Sequence, residues 1–311
     1  MIFKSLEESL KDYRETKKIY DTNKIKFYGD EVLGKDVYNI SHSFKVNNDN
    51  YILGRVETTD SEISQVLLFK QVNDWEYECV KDFKIDMYQD PYFTYIDDSL
   101  MIAGTRIYQD DFGMINNWNT SFYLGKDFNS LEEVIKAPKK MKDVRIIKQN
   151  DTYHVFTRPQ GGIAGPGKIG YFNTKNFDEI NETTIENAKL LMDLFPEKTW
   201  GGVNQVYVLK NGLLGIVGHI AKMSEGDVRH YYGMVFVFDP KTFTYSNCEI
   251  ICERQDFVPG AAKRVDLIDV VFLGGLTRNN DGTATLYTGI SDKEAHYMII
   301  NDPFIKYEED L

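Results

Sequence analysis

Cysteine is scarce in this chain. Cys79, Cys248 and Cys252 are the only three in 311 residues, and an odd, sparse set does not make a disulfide framework. Cys248-x3-Cys252 has no second Cys or His pair to complete a zinc site, so no metal and no cofactor is expected. Long apolar runs are missing too. Nothing approaches the roughly 18 residues of a membrane span, and the N-terminal MIFKSLEESLKDYRET has no apolar core of a secretory signal. A reduced, cytoplasmic protein with no membrane partner is the expectation. Positive charge is in deficit, at a net −12, which argues against a nucleic-acid partner because nonspecific binding needs a basic footprint. The stretch GGIAGPGKIG, Gly161 to Gly170, has no phosphate-loop or dinucleotide spacing and no helix after it; it reads as a flexible flap over a site. A Gly-x-Ser-x-Gly elbow is absent, which removes that type of hydrolase triad. No Pro-rich or Gly/Ser-rich linker interrupts the chain, so residues 1–311 read as one domain.

What the chain does contain is aromatic and β-forming. Aromatics make up 14%, with 20 Tyr and 19 Phe, a bias toward strands. Five times, a polar turn is followed by a β-rich run. The turns centre on Asp49, Asp98, Asp151, Asn211 and Asp281, and the runs end at Arg55, Arg106, Arg158, His219 and Asp292. Asn-Asp, Asp-Asp, Asn-Gly and Asp-Gly supply the positive φ that short hairpins demand. A sheet unit of this length cannot bury its own faces, and stacked radially it becomes a propeller blade. The fold class predicted is therefore all-β, a five-bladed β-propeller with a central funnel. Residues 1–34 precede the first blade. Within them, Ser5 to Thr16 reads as a short helix with Leu6, Leu10 and Tyr13 on one face. Lys24–Tyr28 (KIKFY) reads as a strand that closes the ring by pairing into the last blade.

Blade geometry then gathers side chains. Each hairpin turn sits on one face of the disc, so the start of its first strand and the end of its second meet on the opposite face, near the axis. The starts include Asn39, Asp90, Lys142, Asp143 and Asp269; the ends include Arg55, Glu57, Arg106, Arg158, His219 and Asp292. Arginines at equivalent phases suit paired hydrogen bonds to phosphate or carboxylate, although they serve equally as braces between blades. Asp90 stands before Pro91, which fixes its entry into an apolar strand; it is a candidate proton donor or a turn cap. Asp269 and Asp292 are candidates for sugar hydroxyls, for a base, or for capping. A single slipped residue turns any of these side chains to the other face of its sheet.

Five motifs, in order, resemble the propellers of glycoside hydrolase family 130, the β-mannoside phosphorylases: GRVE at Gly54–Glu57, QDPYFT at Gln89–Thr94, KD at Lys142–Asp143, FTRP at Phe156–Pro159, and DVVFLGG…YTGISD from Asp269 to Asp292. Gln89, Tyr92 and Thr157 stand where that family has Glu, Arg and His. With YNIS at Tyr38–Ser41 and RPQGGIAGPGKIGY at Arg158–Tyr171, the pattern is more similar to the related mannosyltransferase/phosphorylase family, glycosyltransferase family 108. The resemblance implies a reversible, inverting β-1,2-mannoside phosphorylase/mannosyltransferase acting on mannose oligosaccharides, with inorganic phosphate or mannose 1-phosphate as partner and, in some members, a GDP-mannose donor. It implies Asp90 as general acid, acting through a hydroxyl of the bound mannose, Arg158 as a phosphate contact, and Asn39 and Asp292 at the sugar. Repeat phase adds Arg106 and His219 to the phosphate side, and Arg55, Lys142, Asp143 and Asp269 to the substrate side. Two rivals remain on the same scaffold. An inverting hydrolase would need a second carboxylate about 6.5–9.5 Å from the acid to activate water, from Asp269, Asp292 or Glu57. A noncatalytic carbohydrate-binding propeller would need none.

Overall fold

The computed structural model describes residues 4–308. Five antiparallel-cored sheets follow one another along the chain as blades. The first is built on Asp49–Glu57, Gln65–Asn73 and Glu76–Asp86, and the second on Tyr88–Ile96, Ser99–Gln109, Ile115–Gly125 and Glu132–Lys136. The third holds Arg145–Gln149, Thr152–Thr157, Gly170–Thr174 and Lys189–Leu190; the fourth holds Thr199–Val208, Leu214–Met223 and Arg229–Asp239 with two short outer strands. The fifth holds Val271–Arg278, Thr283–Ile290 and Glu294–Asn301. The predicted turns fall where expected, with positive φ at Asn47, Asn48, Asp97, Asn150, Gly212 and Gly282. No described helix is long and apolar enough to cross a membrane.

The apolar core is divided, as radial stacking requires. Its five clusters each join adjacent blades: Leu53, Val66 and Leu68 meet Phe93 and Ile102 between the first and second, and Met101 and Phe122 meet Ile146 and Val155 between the second and third. Phe156 and Tyr171 meet Ile216 and Phe236 next, then Val217 and Val235 meet Leu273 and Leu286. Tyr287 and Tyr297 meet Ile52 and Phe69 to complete the circle. Burial of these faces is the main favourable term in the fold.

Ring closure differs from the sequence expectation in one detail. The strand that completes the last blade is Ile19–Lys24, antiparallel to Glu294–Asn301. Lys26–Tyr28, the heart of the KIKFY segment, instead runs parallel to Glu76–Glu78 at the edge of the first blade. Between them Ile25 is buried and its N–H donates to the Ala295 carbonyl. The N-terminal segment thus straddles the last and first blades. The helix Leu6–Thr16 forms as predicted. Ser5 caps it through the Glu8 N–H, Glu8 returns a bond to the Ser5 N–H, and Leu6, Leu10 and Tyr13 pack with Ile220, Tyr232 and Ile250. Arg14 then grips Glu253 through Nε and Nη2 at 3.0 and 2.6 Å.

Candidate active site

Four of the expected site residues share an unusual backbone. Asn39, Asp90, Asp143 and Asp292 have φ of 44°, 51°, 61° and 49°. This left-handed region is uncommon outside glycine, and Asn and Asp are the residues that best tolerate it. At Asp90 it coincides with a register break between Gln89 and Tyr92, and with a following proline that normally disfavours compact backbone. Strained corners of this kind cluster at functional sites.

The corners bring charged groups together. Asn39 Nδ2 donates to Asp90 Oδ1 at 2.8 Å, and Arg55 Nη1 reaches the same oxygen at 3.4 Å. Asp90 Oδ2 has no hydrogen bond among the described residues. Arg55 is a brace as much as a ligand: it donates to Glu57 at 2.9 Å and to Glu62 at 3.1 Å and lies over the Tyr38 ring. Burial works against its charge, but the Tyr38 hydroxyl, Asp90 and Glu57 hold its pKa well above the ordinary arginine value. Asp292 has no hydrogen bond among the described residues. Burial, with Asp90 nearby, raises its pKa against the pull of Arg55 and Lys263.

A second group gathers around Arg158. Asp143 Oδ2 stands 3.4 Å from Arg158 Nη1, yet neither atom makes a hydrogen bond within the protein, although both are buried. Arg158 is held from behind by Nε donating to the Gly201 carbonyl at 3.0 Å. Burial disfavours the Asp143 carboxylate, but Arg158, then Lys142 and Arg145, outweigh it and hold its pKa below the usual value. Arg145 joins the two groups: it sits 3.9 Å from Asp143 and feels the charges of both Asp143 and Asp90. The Lys142 ammonium has no partner among the described residues. Glycines make room for this crowding. A Cβ on Gly202 would come within 3.0 Å of Arg158, Asp143 and His219, and one on Gly167, in the glycine-rich loop, would press on the Arg158 guanidinium at 3.2 Å.

Three expected residues stand otherwise. Arg106 is not brought into the cluster: its neighbours Thr105 and Ile107 face the cleft beside Asp90, while its own guanidinium, on the opposite sheet face, bonds Tyr123 and approaches Glu133 at 3.7 Å. The physical reason is strand alternation. His219 lies beside Arg158 and Asp143 but supplies no positive charge. Burial pushes its pKa down to about 3, and Nδ1 donates to Asn204 Oδ1 at 2.8 Å, so Nε2 presents a lone pair suited to a hydroxyl rather than to an oxyanion. Asp269 is taken by His230, whose Nδ1 donates to it while Nε2 meets Ser224 Oγ at 2.9 Å.

Sequence reasoning missed Lys263, Arg145 and Asn204. Lys263, with only 2% of its side chain exposed, joins Glu57 and stands 3.1 Å from Glu62; it comes from the irregular stretch before the fifth blade, where no repeat phase points to it. Arg145 follows the KD motif by two residues, and that short spacing was the available signal. Gly289 shows how tightly Asn39 is seated. A Cβ there would fall 2.0 Å from Asn39 Oδ1 and 2.5 Å from Asn39 N. Gly289→Ala is therefore expected to cost ~1–3 kcal/mol of stability through overpacking and to dislodge Asn39 from Asp90. Urea denaturation checks this; an unchanged midpoint would show that Asn39 moves freely.

Comparison with known proteins identifies the family and the fold. No curated protein matches the sequence. A family model described as "Protein of unknown function (DUF1861)" matches residues 11–306. Among solved structures, a mannose phosphorylase from Leishmania mexicana in complex with phosphate ion is 31% identical, with a TM-score of 0.90 over 97% of this chain and 94% of that one. A GDP-Man-dependent mannosyltransferase from the same organism is 29% identical, with a TM-score of 0.86 over 96% and 95% of the two chains. A β-1,2-mannobiose phosphorylase from Listeria innocua shares the fold at 16% identity, with a TM-score of 0.62 over 89% and 93%. The chain belongs to the DUF1861 family and, among proteins of known structure, groups with the mannosyltransferase/phosphorylase propellers.

Proposed function

We propose that the protein is an inverting β-1,2-mannoside phosphorylase that also runs in reverse, transferring mannose from mannose 1-phosphate. The observation that carries this reading is Arg158: its Nη1 is buried and charged, yet has no hydrogen-bond partner. A desolvated guanidinium N–H left open is costly unless a ligand fills it, and an anion is the fitting ligand. Inorganic phosphate is held by Arg158 with the free Lys142, and Asp143 keeps the arginine aligned. The mannosyl unit sits between Asn39 and Asp292. A phosphate oxygen attacks the anomeric carbon as the glycosidic C–O bond breaks. Asp90 gives its proton to the leaving oxygen, directly or through a mannose hydroxyl. Phosphate is already an anion, so no base is needed, and catalysis falls to positioning and electrostatics.

The test is incubation with β-1,2-mannobiose, with and without phosphate, following anomeric products by NMR. The expected result is α-mannose 1-phosphate plus mannose, formed only when phosphate is supplied. Phosphate-independent release of mannose would assign a hydrolase, with Asp292 the candidate to activate water. Release of GDP from GDP-mannose in a parallel arm would move the donor to the sugar nucleotide.

A further inference from the structure

Blades four and five meet at a trio of side chains outside the charged cluster. Ser224 opens the turn after Leu214–Met223, His230 stands at the start of Arg229–Asp239, and Asp269 leads into the fifth blade. His230 Nδ1 lies 2.5 Å from Asp269 Oδ2, and His230 Nε2 lies 2.9 Å from Ser224 Oγ. A carboxylate only accepts, so Nδ1 carries the ring proton and Nε2 turns its lone pair to the Ser224 hydroxyl. Nucleophile, base and orienting acid in this order are the groups of acyl transfer. They come from two blades, so no spacing along the chain announces them.

The trio is not spent on joining the blades. Backbone does that already: His230 and Asp269 form a parallel bridge, and the Tyr231 N–H donates to the Asp269 carbonyl at 3.0 Å. A brace would also end at the His230–Asp269 pair, whereas here a hydroxyl is added on the far side of the ring. The other contact of Ser224 Oγ, to the Glu225 carbonyl, is long at 3.5 Å. Exposure runs in the useful direction. The His230 and Asp269 side chains are 22% and 33% exposed and Ser224 is open to solvent, so the nucleophile is reachable while its partners are held.

The surroundings suit a small ester. The Ser224 N–H closes the turn onto the Val228 carbonyl at 3.0 Å, but the N–H groups of Glu225, Gly226 and Asp227 have no hydrogen-bond partner among the described residues. The N–H that follows a nucleophilic serine is a recurrent donor to the oxyanion. The loop that leads to Asp269 also holds Val265 and Ile268 out, 83% and 56% exposed, which gives a short acyl chain an apolar ledge.

We infer that Ser224, His230 and Asp269 form a second active centre, which hydrolyses short-chain carboxylic esters. Ser224 Oγ bonds to the ester carbonyl carbon as its proton passes to His230 Nε2. The carbon–oxygen bond to the alcohol breaks, and the alcohol leaves with that proton. Water then attacks the acyl-serine and gives a proton to Nε2, which returns it to the departing Ser224 oxygen as the carboxylic acid is released. Asp269 touches no substrate and is a positioning residue for the imidazole. This centre stands or falls independently of phosphorolysis.

Two measurements on the whole chain test it: labelling with a fluorophosphonate, read by peptide mass spectrometry, and hydrolysis of 4-nitrophenyl acetate. The adduct is expected on Ser224 and is expected to vanish in His230→Gln. Ester hydrolysis is expected to fall on the order of 10²-fold or more in Ser224→Ala and His230→Gln. Asp269→Asn is expected to lower kcat for the ester to a similar degree while KM stays within about twofold, a split that a structural role would not produce. Thermal melting checks the fold, and Ser224→Ala, on an exposed turn, carries the test if His230→Gln melts early. No adduct on Ser224, an adduct that persists in His230→Gln, or equal ester hydrolysis by the wild type and Ser224→Ala would each overturn the centre.

Discussion

An Asp90→Asn protein is expected to fold normally and to lose phosphorolysis of β-1,2-mannobiose by at least ~10²–10⁴-fold, the usual contribution of a general acid. The substitution is clean for two reasons. Asn tolerates the left-handed φ of 51° at this corner, and its carbonyl oxygen still accepts from Asn39. The transferable proton is removed, and with it the negative charge 3.4 Å from Arg55, which Glu57 and Glu62 still pair. The loss should shrink sharply for a dinitrophenyl mannoside, whose leaving oxygen needs no protonation. Comparing kcat on the two substrates, beside thermal melting, checks both parts. A rate retained on mannobiose would rule Asp90 out and pass the role to Asp292, whose raised pKa makes it the next proton donor to test. Asp90→Ala is a poorer probe, because the corner conformation would cost an alanine roughly 1–2 kcal/mol.

Arg158→Lys is expected to lower kcat/KM for phosphate by roughly 10²–10³-fold while sugar binding, followed by calorimetry with mannobiose, stays near the wild-type value. Lysine preserves the charge opposite Asp143, so the fold is not burdened with an unpaired buried carboxylate. It lacks the planar fork that lets arginine hold the Gly201 carbonyl with Nε and present Nη1 to an anion together. Arg158→Ala would confuse the two effects, since removing one partner of a buried pair costs on the order of 3–5 kcal/mol. An unchanged phosphate KM in the lysine variant would relocate the anion to Lys142.

Much of the fold was legible because blades are local. Each hairpin declares itself through a polar turn between β-rich runs, and the corner Asn and Asp residues that start the blades could be located from the turns alone. The site was legible only as far as phase reaches. Arg55, Arg158 and His219 lie where strand ends converge, but Arg106 differs from its cleft-facing neighbours by one position, and a period of two has no tolerance for that. His219 shares the phase of the arginines, yet burial removes its charge, and burial depends on partners far along the chain. Asp269 could not be separated from Asp292 by sequence, because its partner His230 belongs to another blade. Lys263 and the seam strand Ile19–Lys24 come from segments outside the repeats, where pairing is decided by whatever edge is left open.

That seam sets an order of events during synthesis. Ile19–Lys24 leaves the ribosome before any blade does, and its partner Glu294–Asn301 leaves after four of them. At ~5–20 residues per second the early strand waits on the order of tens of seconds for its mate. Its sequence, IYDTNK, suits the delay: acid, amide and lysine side chains make it a poor template for stray pairing with another nascent chain.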